Sequence, residues 1–174
     1  MKQLIIMKRT ILLVAFIFTA NYILGQDLRI EVSGDANFEN AQYVVTEAGE
    51  DFPSSITSSS SIYLSLNYRS IWDGIFGRDI PWQIFIHKSD LEWNNNLDLQ
   101  ILRDGNGSRA SILGPNPVVT SGTNYQTITN NPSFFFRGRY GVLNIPLNLK
   151  LSGASLTMGA RQFETRVVFT VYDD

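Results

Sequence analysis

Apolar residues in this chain recur with a period of two over one short segment after another, and that rhythm limits the fold more than any single motif. "DLRIEVS" (27–33) sets Leu28, Ile30 and Val32 against polar neighbours, and "IYLSLNY" (62–68) puts Ile62, Leu64 and Leu66 on one side. "IPWQIFIHK" (80–88) alternates Ile80, Trp82, Ile84 and Ile86 with Gln83, Phe85 and His87, while "LDLQILR" (97–103) groups Leu97, Leu99 and Ile101. Successive side chains of an extended strand point to opposite faces, so each segment reads as a strand with one buried face. "QYVVTEAG" (42–49), "YQTIT" (125–129) and "SFFF" (133–136) add shorter strands. "YGVLNIPLNLKLSG" (140–153) continues the alternation through Leu143, Ile145, Leu147, Leu149 and Leu151, with Pro146 on the opposite parity. Proline has no N–H to give a ladder, so Pro146 predicts an edge or a bulge. No segment carries the periodicity of a long amphipathic helix. Roughly seven to nine short strands separated by turns give an all-β chain, folded as an antiparallel β-sandwich.

The first 25 residues stand apart. Lys2, Lys8 and Arg9 precede the apolar run "ILLVAFIF" (11–18), and "NYILG" leads to Gln26. That order is read as a secretory signal peptide over 1–25, cleaved between Gly25 and Gln26. The run is too short to span a bilayer, which takes about 20 apolar residues, so no stable membrane insertion is expected after cleavage. Residues 26–174 are long enough for one domain with its own core. They contain all 16 acidic residues and eleven of the 14 basic ones, a formal charge of −5. An acidic surface argues against nucleic acid and against anionic membrane as partners. The chain has no cysteine, so packing and strand pairing must hold it without disulfides, and a lipid anchor on an N-terminal cysteine is excluded.

The parts an enzyme needs are scarce. With one histidine and no cysteine, zinc sites of the usual composition are not available. His87 lies mid-strand beside Lys88, and no G-x-S-x-G elbow or phosphate-binding glycine pattern occurs. The carboxylates Glu50, Asp51, Asp73 and Asp79 read as solvated loop charges rather than a glycosidase pair. In "DGNGS" (104–108), Asp104, Asn106 and Ser108 alternate like the first ligands of a calcium loop. Arg109 and Pro115 then occupy the places that such a loop gives to glycine and glutamate, so a hairpin turn is expected instead. The chain is therefore read as a non-enzyme with no cofactor and no metal. Trp72 and Trp93 lie in polar, turn-like stretches and are candidate ligand-contact aromatics, alongside the Ser-, Gly-, Pro- and Asn-rich loop 109–124. Exposed indoles stack on sugar rings; otherwise they pack loops over the sandwich ends. A secreted carbohydrate- or protein-binding module is the alternative that these residues offer.

The closing stretch "RQFETRVVFTVYDD" (161–174) sends Phe163, Thr165, Val167, Phe169 and Val171 to one face and Glu164, Arg166, Val168, Thr170 and Tyr172 to the other. Residues 140–174 resemble the C-terminal half of bacterial pilin-like proteins, the fimbrial subunits and spore coat protein U-type domains. The likeness rests on the alternating strand ending in "LSG" (151–153), on Gly159 before the last strand, and on Tyr172. It implies a single immunoglobulin-like (pilin-like) sandwich over 26–174. It also implies a secreted structural or surface-assembly role in an extracellular fibre or adhesive layer, reached through the periplasm. A periplasmic chaperone and like subunits would then engage the last strand by strand addition. Gly159, Phe163, Val167, Val168, Phe169, Val171 and Tyr172 are the assembly-strand residues on this reading. Residues 27–33 would serve either as a donor strand or as the protein's own first strand. Mass spectrometry of the exported protein should find Gln26 at its N-terminus and no peptide from the apolar run.

Overall fold

The computed structural model of the chain describes residues 27–36, 38, 54–155, 158 and 163–173. The leader, the expected strand at 42–49, Glu50, Asp51 and Gly159 lie outside the described residues. Among the described residues eleven strands and one short helix follow in order: β1 (Leu28–Ser33), β2 (Ser55–Thr57), β3 (Ile62–Tyr68), α1 (Ile71–Phe76), β4 (Pro81–Glu92), β5 (Asp98–Arg103), β6 (Ser108–Arg109), β7 (Val118–Thr120), β8 (Gln126–Thr127), β9 (Ser133–Arg139), β10 (Val142–Ser152) and β11 (Glu164–Asp173). They form two antiparallel sheets. One runs β1-β3-β10-β5-β8, with β2 and β6 also paired to β10; the other runs β11-β4-β9-β7. The chain is an all-β sandwich.

Its core is the set of inward positions from both sheets. Leu64, Leu66, Ile101, Ile145 and Leu147 of the first sheet face Trp82, Ile84, Ile86, Phe136 and Val171 of the second, all buried. Of the residues that alternation marks as core, Leu64, Trp82, Ile84, Leu99, Leu147 and Leu149 are buried, while Ile62, Val167 and Phe169 pack against the core half-covered. The Trp82 indole meets Phe136 edge-on with ring centres 5.9 Å apart and donates its N–H to the Tyr140 carbonyl at 2.7 Å. Gly138 makes room for it, since a Cβ there would lie 2.5 Å from the indole.

Bulges in β9 and β10 carry those strands away from strict alternation, and a further register shift falls between Glu164 and Thr165 of β11. In β9 the register slips so that Ile84 faces Phe136 and Phe85 faces Phe134. Phe135 is the extra residue and turns inward beside Phe136. In β10 the shift falls between Val142 and Ile145, where Asn144 adopts φ 54. β10 is thus a doubly paired central strand, and of the two readings of Pro146 the edge is wrong. Its carbonyl accepts the Asp104 N–H at 2.8 Å, so its nitrogen faces the same side. The missing N–H therefore faces the place where the neighbouring chain leaves the ladder.

That neighbouring chain is the 104–108 stretch, and it is not a hairpin. β5 and β6 pair with the same side of β10 in the same direction, at Leu147–Ser152 and Val142–Leu143 respectively. The glycines therefore serve an in-line excursion. Arg103 organises it from inside the protein. Its side chain is 5% exposed and shares the inward parity of Leu99 and Ile101. The guanidinium donates to the Ser121 carbonyl at 2.9 Å and to the Gly105 carbonyl and Asn106 Oδ1. Its backbone N–H reaches the Gly122 carbonyl at 2.6 Å. Burial lowers its pKa below the ordinary value. No carboxylate pairs with it among the described residues, so neutral oxygens alone balance a buried cation. Arg103→Met should destabilise the protein by about 1–2 kcal/mol in urea unfolding, because three part-buried hydrogen bonds to the 105–106 and 121 oxygens are lost. Phe136→Ala should cost about 3–5 kcal/mol by the same measurement.

Candidate functional site

The closing strand, β11, stands at one end of the second sheet's strand order. β11 pairs with β4 along its whole length, from Glu164 opposite Glu92 to Asp173 opposite Trp82. Among the described residues no strand lies on its other side. Val171 is buried opposite Ile84, and Phe169 and Val167 point the same way opposite Ile86 and Lys88 but stay half-covered. Phe163, just ahead of the strand, is also half-buried. On the other face Glu164, Arg166 and Tyr172 are exposed and Val168 and Thr170 half-buried.

β1 is the corresponding edge of the first sheet, in full antiparallel register with β3 from Leu28–Tyr68 to Ser33–Tyr63. Residues 28–33 are thus this chain's own first strand. A clasp joins the two edges at one end, where the Leu28 N–H donates to Asp173 Oδ2 at 3.1 Å. Cover falls off with distance from it. Leu28 and Val171 are buried, Ile30 and Phe169 half-buried, and Val32, which faces inward opposite Leu64, is 48% exposed. The edge strands β1 and β11 therefore flank an apolar furrow lined by Ile30, Val32, Val167 and Phe169.

The start of β11 is pinned by a charged cluster. Lys88, on the inward parity of β4, places its ammonium 3.0 Å from both Asp90 oxygens, and Thr165 Oγ1 donates to Asp90 Oδ1 at 2.9 Å. Burial alone would raise the Asp90 carboxyl, but donation from Lys88, Thr165 and Asn130 outweighs it and holds the group below its ordinary 3.8. Beyond the furrow, the outer face of the second sheet carries an aromatic row. Tyr172 meets Phe85 at 5.2 Å and Phe85 meets Phe134 at 5.9 Å, both edge-on, across β11, β4 and β9. His87 projects from this same face opposite Val168, with Nδ1 buried and unpartnered.

The two loop tryptophans part company. Trp93 packs against the core, gives its N–H to the Leu97 carbonyl at 3.0 Å, and has the Lys88 ammonium 4.9 Å from its ring. Trp72 sits in α1, is 70% exposed and stacks on Phe76. Asp73 and Asp79 belong to ion pairs with Arg78 and Arg139. In the 104–108 excursion Asp104 Oδ2 accepts from Asn148 at 2.9 Å, and the Asn106 oxygen faces the Arg103 guanidinium, an arrangement hostile to a bound cation. A polar hollow of about 670 Å³ lies beside it, lined by residues 106–109, Asn116 and Pro117. Among the described residues no three His, Cys, Asp or Glu side chains converge. Arg103 escapes a motif search, although its parity in "LDLQILR" places it inside.

Comparison with known proteins finds no matching family model, curated protein or solved structure. The depressed Asp90 group predicts a pH dependence. Its stabilising contribution is complete above the unfolded value of 3.8 and is lost as pH falls through the folded one. The melting temperature should therefore drop more steeply in acid for the parent than for Asp90→Asn, with the two curves differing most near neutrality.

Proposed function

We propose that the protein is an exported, non-enzymatic assembly subunit that joins like subunits by strand addition at β11, after escort by a periplasmic chaperone. One observation carries the reading: among the described residues no strand pairs with the far side of the ten-residue β11, and its inward side chains Val167 and Phe169 remain half-covered beside an apolar furrow. An unpaired strand edge is a template for another chain. An incoming strand gains main-chain hydrogen bonds from the edge and buries alternate side chains in the furrow. The leader-like N-terminus and the likeness of residues 140–174 to pilin-like proteins support export and surface assembly in the same direction.

The two faces of β11 provide the test. Val171→Asp places a charge in the apolar interior, where Val171 is buried, and should abolish folding, whereas Val167→Asp and Phe169→Asp fall at half-covered positions and should destabilise less. Val168→Ser and Tyr172→Ala lie on the outward parity and should melt within about 1 kcal/mol of the parent, yet enter surface material poorly. Thermal melting and immunogold electron microscopy of the producing cells read the two effects. Normal melting together with normal incorporation of both outward variants would remove β11 as the assembly strand.

A further inference from the structure

A second surface, away from the β11 edge, is built from α1 and the loop 110–114. Ile71, Trp72, Phe76, Ile112 and Leu113 are 81%, 70%, 60%, 67% and 69% exposed, while the protein's other large apolar side chains are mostly inside. Chance exposure scatters apolar residues singly; five together mark a contact surface. The cluster is rigid. The Ile112 N–H donates to the Gly74 carbonyl at 3.0 Å and the Leu113 N–H to the Ile75 carbonyl at 2.8 Å. A Cβ on Gly114 would lie 2.6 Å from the Gly77 Cα, so the two glycines let helix and loop backbones touch. Two carbonyls that a short helix would leave for water are thereby satisfied internally, which suits surroundings where water is absent.

Charge around the tip says what those surroundings are. Residues 26–174 are net acidic, and Asp73 lies within α1 but faces Arg78 at 4.0 Å, while further arginines bracket the tip. Arg69 lies two residues before α1 and is exposed, and Arg109 is exposed and donates to the Gly114 carbonyl at 2.9 Å. Neither forms an ion pair among the described residues. Arg78, just after the helix, is engaged by Asp27 at 3.0 Å. Apolar side chains at the tip with unpaired cations behind them match acyl chains beneath phosphate headgroups. A second copy would bring another acidic body against this one. A sugar site would need polar groups aimed along the indole face, whereas Trp72 stacks on Phe76. We propose that the α1 and 110–114 tip docks the protein on a phospholipid surface, inserting Trp72, Phe76, Ile112 and Leu113 between headgroups while Arg69 and Arg109 meet phosphates. This contact is peripheral and does not depend on strand addition at β11.

The test uses protein recovered from its own cells and two kinds of vesicle, pure phosphatidylcholine and phosphatidylcholine mixed with phosphatidylglycerol. The parent should cosediment with both, and more strongly with the mixed vesicles at low salt. Its tryptophan emission should shift to the blue and be quenched by brominated acyl chains. Trp72→Phe should keep binding and lose most of the quenching, because Trp82 and Trp93 lie in the sandwich. Trp72→Ser combined with Leu113→Ser should weaken binding to both vesicles by about a hundredfold. Arg69→Gln combined with Arg109→Gln should weaken only the anionic preference, by about tenfold. All these positions are exposed, so melting should change little, with the loss of the Arg109 hydrogen bond to Gly114 costing at most about 1 kcal/mol. Three results would overturn the proposal: no cosedimentation of the parent, undiminished binding of the serine pair, or a lipid-free dimer that the serine pair converts to monomer in sedimentation velocity.

Discussion

Everything in this protein rests on burying one parity of each strand between two sheets, because no disulfide is available to hold them. The interior is closed by packing, with Trp82 against Phe136 at its centre, and by β10, whose two sides are both paired. Such a core tolerates few polar intruders. Arg103 enters it only because carbonyl and amide oxygens from 105–106 and 121 converge on its guanidinium. The same cation thereby fixes two loops that have little packing of their own.

Alternation made most of this legible. β1, β3, β4, β5, β10 and β11 lie where the period-two pattern puts them, because half-buried strands must alternate to be stable. Features set by register between distant strands were not legible. "DGNGS" has the composition of a hairpin, but β10 has room on one side for both β5 and β6, so the chain continues instead of reversing. Phe135 and Phe136 both face inward because β9 bulges against β4, which "SFFF" cannot announce. Trp72 and Trp93 look alike in sequence; an acceptor on Leu97 and the nearby Lys88 draw one inward, and the other finds neither.

The two candidate surfaces differ in kind. On the proposed reading the β11 edge would take an incoming strand beside a furrow, so its recognition would be directional and would depend on register. The α1 tip offers side chains alone, which suits a partner without fixed shape. Parity in the closing strand pointed to the first surface. The second needed the fold, because "SIWDGIFG" and "ASILGP" are some forty residues apart in sequence and meet only through backbone hydrogen bonds.

The register of β11 with β4, unbroken from Thr165 to Asp173, has a mechanical consequence. A strand tugged along its own axis strains every rung of its ladder at once, whereas one peeled sideways yields a rung at a time. Tension entering through β11 along the sheet would load the whole run from Thr165 to Asp173 in shear against β4, and the Leu28–Asp173 clasp would pass part of that load to the opposite sheet. A linkage made at this strand would be strong under pull along one axis and weak across it.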